Sequence, residues 1–312
     1  MRGGFVGVDW GTSSFRLWVM RRDGAVLGES HGPEGMAHCA ETGFAPVLAR
    51  HLAQVQAPDD LPILICGMAG ARQGWAEAPY ADLPAPVSAL ACRALRLPPE
   101  LVQGLGGHRD IRILPGLARR DPAHPDVMRG EETQLLGLAG PGHQGLVCMP
   151  GTHCKWAVLQ GGAVMSFHSA MTGELFDLLA RHSILRHTMP DKGGSVDPGS
   201  PAFLRALDRA LPDPAQAVAG LFGIRAGHLL GFADPSDSRA HLSGLLIGAD
   251  VGLALRGDAA SRGRVTLIGQ PGPGPLYAAA LARAGARVNH VDAETASRCG
   301  LLAAALEIWS FR

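Results

Sequence analysis

The sequence predicts an α/β fold of two lobes, and three observations carry that expectation. The chain has 312 residues, more than most single hydrophobic cores accommodate. A strand–loop–strand–turn–strand unit occurs twice, once from Phe5 and again from Gly145. Late in the chain a strand, Val265–Ile268, runs into Gly269-Gln270-Pro271-Gly272-Pro273-Gly274 and then into a helix.

The first copy begins with an apolar strand that reaches Asp9 and then Gly11-Thr12-Ser13-Ser14. A second strand, Phe15–Met20, follows at once, and a third, Ala25–Glu29, follows the turn Arg21–Gly24. Phe44–Gln54 has helical spacing of its apolar positions. Pro62–Cys66 is a short buried-type strand, Ala71–Pro86 is rich in loop residues, and Ile111–Leu114 is another strand. Ala118–Asp126 reads as a polar loop with two prolines, and Val127–Ala139 turns into a helix near Glu131. Pro141–Gly145 is the best linker candidate.

The pattern then restarts. Gly145–Met149 is a strand, Pro150-Gly151-Thr152-His153 a tight turn, Cys154–Leu159 a strand, Gln160–Gly162 a turn and Ala163–His168 a strand. Gly11-Thr12, Arg16 and Trp18 in the first copy correspond to Gly151-Thr152, Lys155 and Trp156 in the second. A helix opens at Thr172–Ala180, with Thr172 as its N-cap. Met189–Pro201 is an exposed loop, and Ala202–Leu211, Ala215–Phe222 and Ser243–Leu255 are helices. After the glycine-rich loop come a helix, Pro275–Ala284, a strand, Arg287–Val291, and a last amphipathic helix, Ala293–Ile308.

Hydrophobic residues make up 46% of the chain, enough for a sizeable core, and charged residues 18%. The formal net charge is zero, which argues against nucleic-acid or anionic-membrane binding by bulk electrostatics. Lys155 and Lys192 are the only lysines. The six cysteines form no C-x-x-C pair and suit buried free thiols in a reducing compartment. No signal-peptide pattern and no apolar run of transmembrane length is present, so a cytoplasmic protein is expected.

Two tight turns that combine glycine with hydroxyl residues, each entered from an apolar strand, suit phosphate. Backbone N–H groups form the cradle, glycine permits close approach, and Asp9 offers a carboxylate to a cation. An ordinary hairpin would use similar residues, but duplication makes two coincidental hairpins a poor account. Competing signatures are missing: there is no G-x-x-x-x-G-K-[ST] loop, no H-E-x-x-H and no G-x-S-x-G.

The strings VDWGTSSFRLW, VMRGEETQLLG, MPGTHCKW, MTGEL and SGLLIGA resemble those of the 2-dehydro-3-deoxygalactonokinase family, over essentially the whole chain. That family lies within the actin/hexokinase/Hsp70 superfamily of ATP-using folds. The resemblance implies a two-lobed actin-like, ribonuclease H-like ATPase fold, with duplicated βββαβα-type domains around an ATP/sugar cleft. The expected lobes are residues 1–142 plus 296–312 for the sugar and 143–295 for the nucleotide. It also implies ATP and Mg²⁺ as cofactors, and transfer of the γ-phosphoryl group to the C6 hydroxyl of 2-dehydro-3-deoxy-D-galactonate in galactonate catabolism.

By the same resemblance Asp9 would hold Mg²⁺, with Gly11, Thr12 and Ser13 facing the outer phosphates. Gly151 and Thr152 would clamp them from the other lobe, and Gly269, Gly272 and Gly274 would shape the adenosine pocket. Related sugar kinases place a carboxylate base after a glycine at a helix start, where this chain has Gly130-Glu131-Glu132. Glu131 is the first candidate and Glu132 the second, although acids also suit a first helical turn on dipole grounds alone. The substrate carboxylate needs a cation: Arg16, Arg72, Arg129 and Lys155 are candidates, and Lys155 could contact phosphate instead. Thr172 and Glu174 are candidates for the sugar side. Two rivals stay open: a same-fold kinase acting on another sugar or sugar acid, such as 2-dehydro-3-deoxygluconate, and a non-catalytic actin-like regulator. The oligomeric state is open as well.

Overall fold

A computed structural model describes residues 4–106, 109–138, 143–189, 194–256, 263–269 and 272–309. The strands in chain order are β1 (Gly4–Trp10), β2 (Phe15–Arg21), β3 (Val26–Gly32), β4 (Ile63–Gly67), β5 (Tyr80–Asp82), β6 (Ala85–Pro86), β7 (Leu95–Arg96) and β8 (Ile111–Ile113). They continue with β9 (Gly116–Arg119), β10 (Asp126–Met128), β11 (Gly145–Met149), β12 (Cys154–Gln160), β13 (Ala163–Ala170), β14 (Arg264–Gly269) and β15 (Arg287–Asp292). The helices are α1 (Met36–Thr42), α2 (Phe44–Gln54), α3 (Val87–Cys92), α4 (Glu131–Leu138), α5 (Thr172–His182) and α6 (Pro201–Ala210). After them come α7 (Gln216–Ala219), α8 (Leu221–Leu229), α9 (Ser238–Ala254), α10 (Pro273–Arg283) and α11 (Ala293–Ile308). The chain divides into two compact units: residues 1–144, 158–167 and 293–312, and residues 145–157 and 168–292.

The first unit is built on a mixed sheet of order β3-β2-β1-β4-β8-β7. β1 runs antiparallel to β2 and parallel to β4. Alternation along β1 sorts its side chains between two faces. Val6, Val8 and Trp10 join the core formed with Phe44, Val47, Leu48 and Leu52 of α2. Trp10 packs edge-on to Phe15 at 4.7 Å, so this tryptophan is a packing residue, as is the partly buried Trp75 against it. Gly7 and Asp9 face the other way, toward α11, where a side chain on Gly7 would meet Leu301 at 3.1 Å. α11 in turn lies against α4 at backbone distance. A Cβ on Gly300 would sit 1.8 Å from the Thr133 carbonyl oxygen, and one on Gly137 would sit 2.2 Å from that of Ala296.

The second unit carries the strands of a sheet of order β15-β14-β11-β12-β13-β6, although the far end of the β12–β13 hairpin and β6 belong to the first unit. Read outward, β3-β2-β1-β4-β8 and β13-β12-β11-β14-β15 follow the same order of elements. α6 and α9 pack closely through Gly244 and Gly248, which lie against Phe203, Ala206 and Ala210. Among the described residues no helix is long and apolar enough to cross a membrane.

Several boundaries differ from expectation. Ala118–Asp126 is not a plain loop: β9 and β10 pair antiparallel with Arg119 opposite Asp126, and the two prolines occupy the turn between them. α9 starts at Ser238, five residues before the apolar run that predicted it, because its first turns carry Arg239 and His241. Ala215–Phe222 is split into α7 and α8 at Gly220. Thr172 is not an N-cap; it is the first residue of α5, and Met171 precedes it. Four of the six free cysteines are buried, while Cys92 and Cys299 are exposed. Part of the linker candidate Pro141–Gly145, part of the 189–201 loop with Lys192, and Gln270-Pro271 lie outside the described residues.

Candidate active site

In the first unit, Asp9 is the penultimate residue of β1, and its side chain keeps 15% exposure. Ser297 Oγ of α11 donates to Asp9 Oδ2 at 3.2 Å, and Arg16 Nη1 stands 3.6 Å from the same oxygen. Burial raises the Asp9 carboxyl above the ordinary range against the pull of Arg16 and Ser297. The turn after β1 is closed by the Gly11 N–H donating to Ser14 O at 2.8 Å. Its carbonyls serve the start of α1: Met36 N donates to Gly11 O at 2.9 Å and Ala37 N to Thr12 O at 3.2 Å. Gly35 permits that approach, since a Cβ there would lie 2.3 Å from Thr12 O. The side chains of Thr12 and Ser13 remain exposed.

The second element of this site is the start of α4. Gly130 has φ +109°, a left-handed conformation that favours glycine, and a Cβ there would lie 3.4 Å from the Gly67 Cα. The chain thus enters α4 against the end of β4. Glu132 is fully buried. The Gly130 amide donates to Glu132 Oε2 at 2.6 Å, and Thr133 Oγ1 donates to Oε1 at 3.2 Å. Burial first, and then repulsion from Glu131, push the Glu132 carboxyl up to about 8. Glu131 stays partly exposed. Cys66 of β4 lies beside Asp9 in the parallel register, and the charges of both Asp9 and Glu132 act on its thiol. Asp9 and the head of α4 therefore flank one buried thiol.

In the second unit, the Gly151–His153 turn links β11 to β12 and is held by the head of α5. Glu174 N donates to Thr152 O at 2.9 Å, and a Cβ on Gly173 would fall 2.5 Å from Gly151 O. His153 Nε2 and Glu174 Oε2 are 2.6 Å apart. Farther along, a Cβ on Gly269 or Gly272 would meet nothing within 4 Å among the described residues, whereas Gly274 is buried, 3.4 Å by its would-be Cβ from the Gly269 Cα.

With this geometry in place, a sequence model of the 2-keto-3-deoxy-galactonokinase family matches residues 9–304. The chain belongs to this family. It is similar to the Rhizobium meliloti (strain 1021) protein named "Probable 2-dehydro-3-deoxygalactonokinase DgoK1", with 52% identity over 310 residues, 98% of each chain. The Escherichia coli (strain K12) 2-dehydro-3-deoxygalactonokinase is 33% identical over 302 residues, covering 96% of this chain and 97% of its own. A crystal structure of a Sinorhizobium meliloti protein described as a "putative 2-dehydro-3-deoxygalactonokinase protein" superposes with TM-score 0.90 at 52% identity, covering 98% of this chain and 99% of the other. A Clostridium difficile activator of 2-hydroxyisocaproyl-CoA dehydratase, solved with bound ADPNP, gives TM-score 0.50 at 14% identity over 97% of this chain and 93% of its own. That last likeness is one of fold.

In this member of the family the predicted site residues fall into two groups. Asp9, Gly11, Thr12, Ser13, Arg16, Arg72, Arg129, Glu131 and Glu132 belong to the first unit. Gly151, Thr152, Lys155, Thr172, Glu174, Gly269, Gly272 and Gly274 belong to the second. Arg129 Nη2 donates to Ala78 O at 2.8 Å and its guanidinium lies 4.4 Å from the Tyr80 ring centroid, while its Nε and Nη1 are buried with no hydrogen-bond partner among the described residues. Arg72 is exposed and makes no hydrogen bond or ion pair among the described residues. Lys155 is buried on β12. The Thr172 hydroxyl donates to Asp250 Oδ2 at 2.9 Å.

Two contributors were not anticipated. Ser297 reaches Asp9 across 288 residues, and no local pattern announces it. Asp250 is the one charged residue in the apolar run Ser243–Leu255, and that isolation was an available signal.

Proposed function

We propose that the chain transfers the γ-phosphoryl group of ATP to the C6 hydroxyl of 2-dehydro-3-deoxy-D-galactonate. Family membership supports the activity class. The observation that carries the site is the convergence of Asp9 and the Gly130–Glu132 helix start on either side of Cys66 in one unit.

Glu131 is the base in this reading. It stays partly exposed at the head of α4, whereas Glu132 is fully buried and holds its proton near neutrality. The Glu131 carboxylate accepts the hydroxyl proton as the phosphorus–oxygen bond forms, while ADP departs. Glu132 ties down the Gly130 amide and fixes where α4 begins.

Asp9 fits a magnesium ion. It is a hard oxygen donor, partly exposed, and its ionised form lacks full compensation in the protein. Among the described residues the one grouping of three potential metal ligands is Glu29, His31 and Glu294, without Asp9. A magnesium ion held by Asp9 would keep several of its waters. Magnesium, when bound, offsets charge on the outer phosphates.

Gly11, Thr12 and Ser13 face the outer phosphates in this reading, with Gly151 and Thr152 as the matching loop of the second unit. Gly269, Gly272 and Gly274 form the adenosine pocket; the open space at Gly269 and Gly272, which a side chain would enter, supports that role. Residues 1–142 with 296–312 serve the sugar acid and 143–295 the nucleotide, and the common strand order of the two sheets supports descent from one duplicated unit. Arg72 is the favoured cation for the substrate carboxylate, because it is exposed and uncommitted.

The test is ADP release coupled to a panel of 2-keto-3-deoxy sugar acids. Turnover on the galactonate-derived acid above all others is the expected result. ATP binding without turnover on any member would overturn the reading.

A further inference from the structure

We infer that Asp250 is a positioning residue that locks the Gly151–Thr152 turn and the helix after the Gly269–Gly274 loop into one nucleotide-binding frame. This rests on the assignment of the nucleotide to the second unit.

Asp250 lies on α9 and is 6% exposed, and the stretch from Leu242 to Ala254 around it is otherwise apolar or small. Three donors from three other elements converge on its carboxylate. Trp156 Nε1 of β12 donates to Oδ1 at 2.9 Å. The Thr172 hydroxyl, at the first position of α5, donates to Oδ2 at 2.9 Å, and the Tyr277 hydroxyl of α10 donates to Oδ2 at 2.5 Å. Charge-assisted bonds of this kind are roughly twice as strong as neutral ones, and burial leaves no water to replace them.

Each donor sits next to a candidate binding segment. Trp156 is three residues beyond the Gly151–His153 turn. Thr172 immediately precedes Gly173 and Glu174, whose backbone packs on that turn with Glu174 N on Thr152 O. Tyr277 is one helical turn beyond Gly274, which seats α10 against Gly269. All three donors are neutral, so the carboxylate is an acceptor hub and makes no ion pair among the described residues. A neutral amide at 250 supplies only one acceptor oxygen for three donors.

Nucleotide binding by the full-length protein, followed with a fluorescent ATP analogue alongside melting temperature, tests this. Asp250→Asn is expected to weaken nucleotide binding tenfold or more. Thr172→Val and Tyr277→Phe should each weaken it three- to tenfold, Thr172→Ser should restore wild-type binding, and the KM for the sugar acid should stay within twofold throughout. If Asp250→Asn does not fold, the Thr172 and Tyr277 variants carry the test, since each removes one hydroxyl. Nucleotide affinity within twofold of wild type in both Thr172→Val and Tyr277→Phe would overturn the role of Asp250. An equal rise in sugar-acid KM would also overturn it, by marking general loosening. Gly274→Val separates the two levels. If it too leaves nucleotide affinity unchanged, the assignment of the nucleotide to this unit fails. If it alone weakens binding, only the role of Asp250 fails.

Discussion

The amide of Gly130 donates to the carboxylate of Glu132, two residues ahead, at 2.6 Å. The bond folds the head of α4 back on itself and leaves Glu131 between the two bonded residues. One acid fastens the turn while its neighbour stays partly exposed.

That division of labour separates two substitutions. Glu131→Gln is expected to lower kcat by about 10²–10⁴-fold, the usual range for a lost general base, with nucleotide affinity retained. Glu132→Gln copies the shape of a protonated acid and should cost less than tenfold. Steady-state rates with nucleotide titrations check both, and full activity in Glu131→Gln would move the base elsewhere.

Stability should depend on pH in the direction set by Glu132. Its carboxyl rises from 4.5 to about 8 on folding, so between those values the folded state holds a proton that the unfolded chain has lost. Stability is therefore greatest at the acid end of this window and falls as pH rises toward 8. Asp9, also raised, acts in the same direction. Melting curves from pH 5 to 8.5 should show the decline, and Glu132→Gln should flatten it.

Asp9→Asn should reduce turnover by at least about 10²-fold, in line with the loss of a transition-state electrostatic contact. It should also weaken the response of the rate to added magnesium while leaving sugar-acid binding intact. Magnesium titrations of activity and calorimetric titration with the sugar acid distinguish these effects.

Gly300→Ala forces a methyl group into a position 1.8 Å from the Thr133 carbonyl oxygen. α11 must shift away from α4, at a cost of about 1–3 kcal/mol for an overpacked contact. The melting temperature should fall, and activity should fall with it, because α11 also carries Ser297 to Asp9.

Arg72→Ala should raise the KM for the sugar acid about tenfold or more, as expected for one lost charge-assisted contact, without changing the KM for ATP. An unchanged sugar-acid KM would return the carboxylate contact to Arg16, Arg129 or Lys155.

Much of the fold was legible because its elements announce themselves locally. Phe44–Gln54 and Ala293–Ile308 show helical periodicity, and the observed α2 and α11 have those bounds. Short strands were harder: β9 and β10 flank a proline-containing turn whose composition alone reads as loop. Thr172 shows why local rules stop short. A threonine at a helix start suggests a cap, but its hydroxyl is claimed by Asp250, 78 residues away. The site divides in the same way. Asp9 stands out by its place in a duplicated turn and the Glu131-Glu132 pair through the family resemblance, whereas Ser297 and the Asp250 hub exist only once distant segments meet.

The bond between Ser297 and Asp9 also sets an order of events during synthesis. Its partners are 288 residues apart, so the ribosome must deliver nearly the whole chain before the first strand receives its covering helix. Until then the face of β1 carrying Gly7 and Asp9 lacks its natural cover. Contacts of such long range slow folding and prolong exposure. A nascent chain arrested before α11 should therefore be a better client for a chaperone than for substrate.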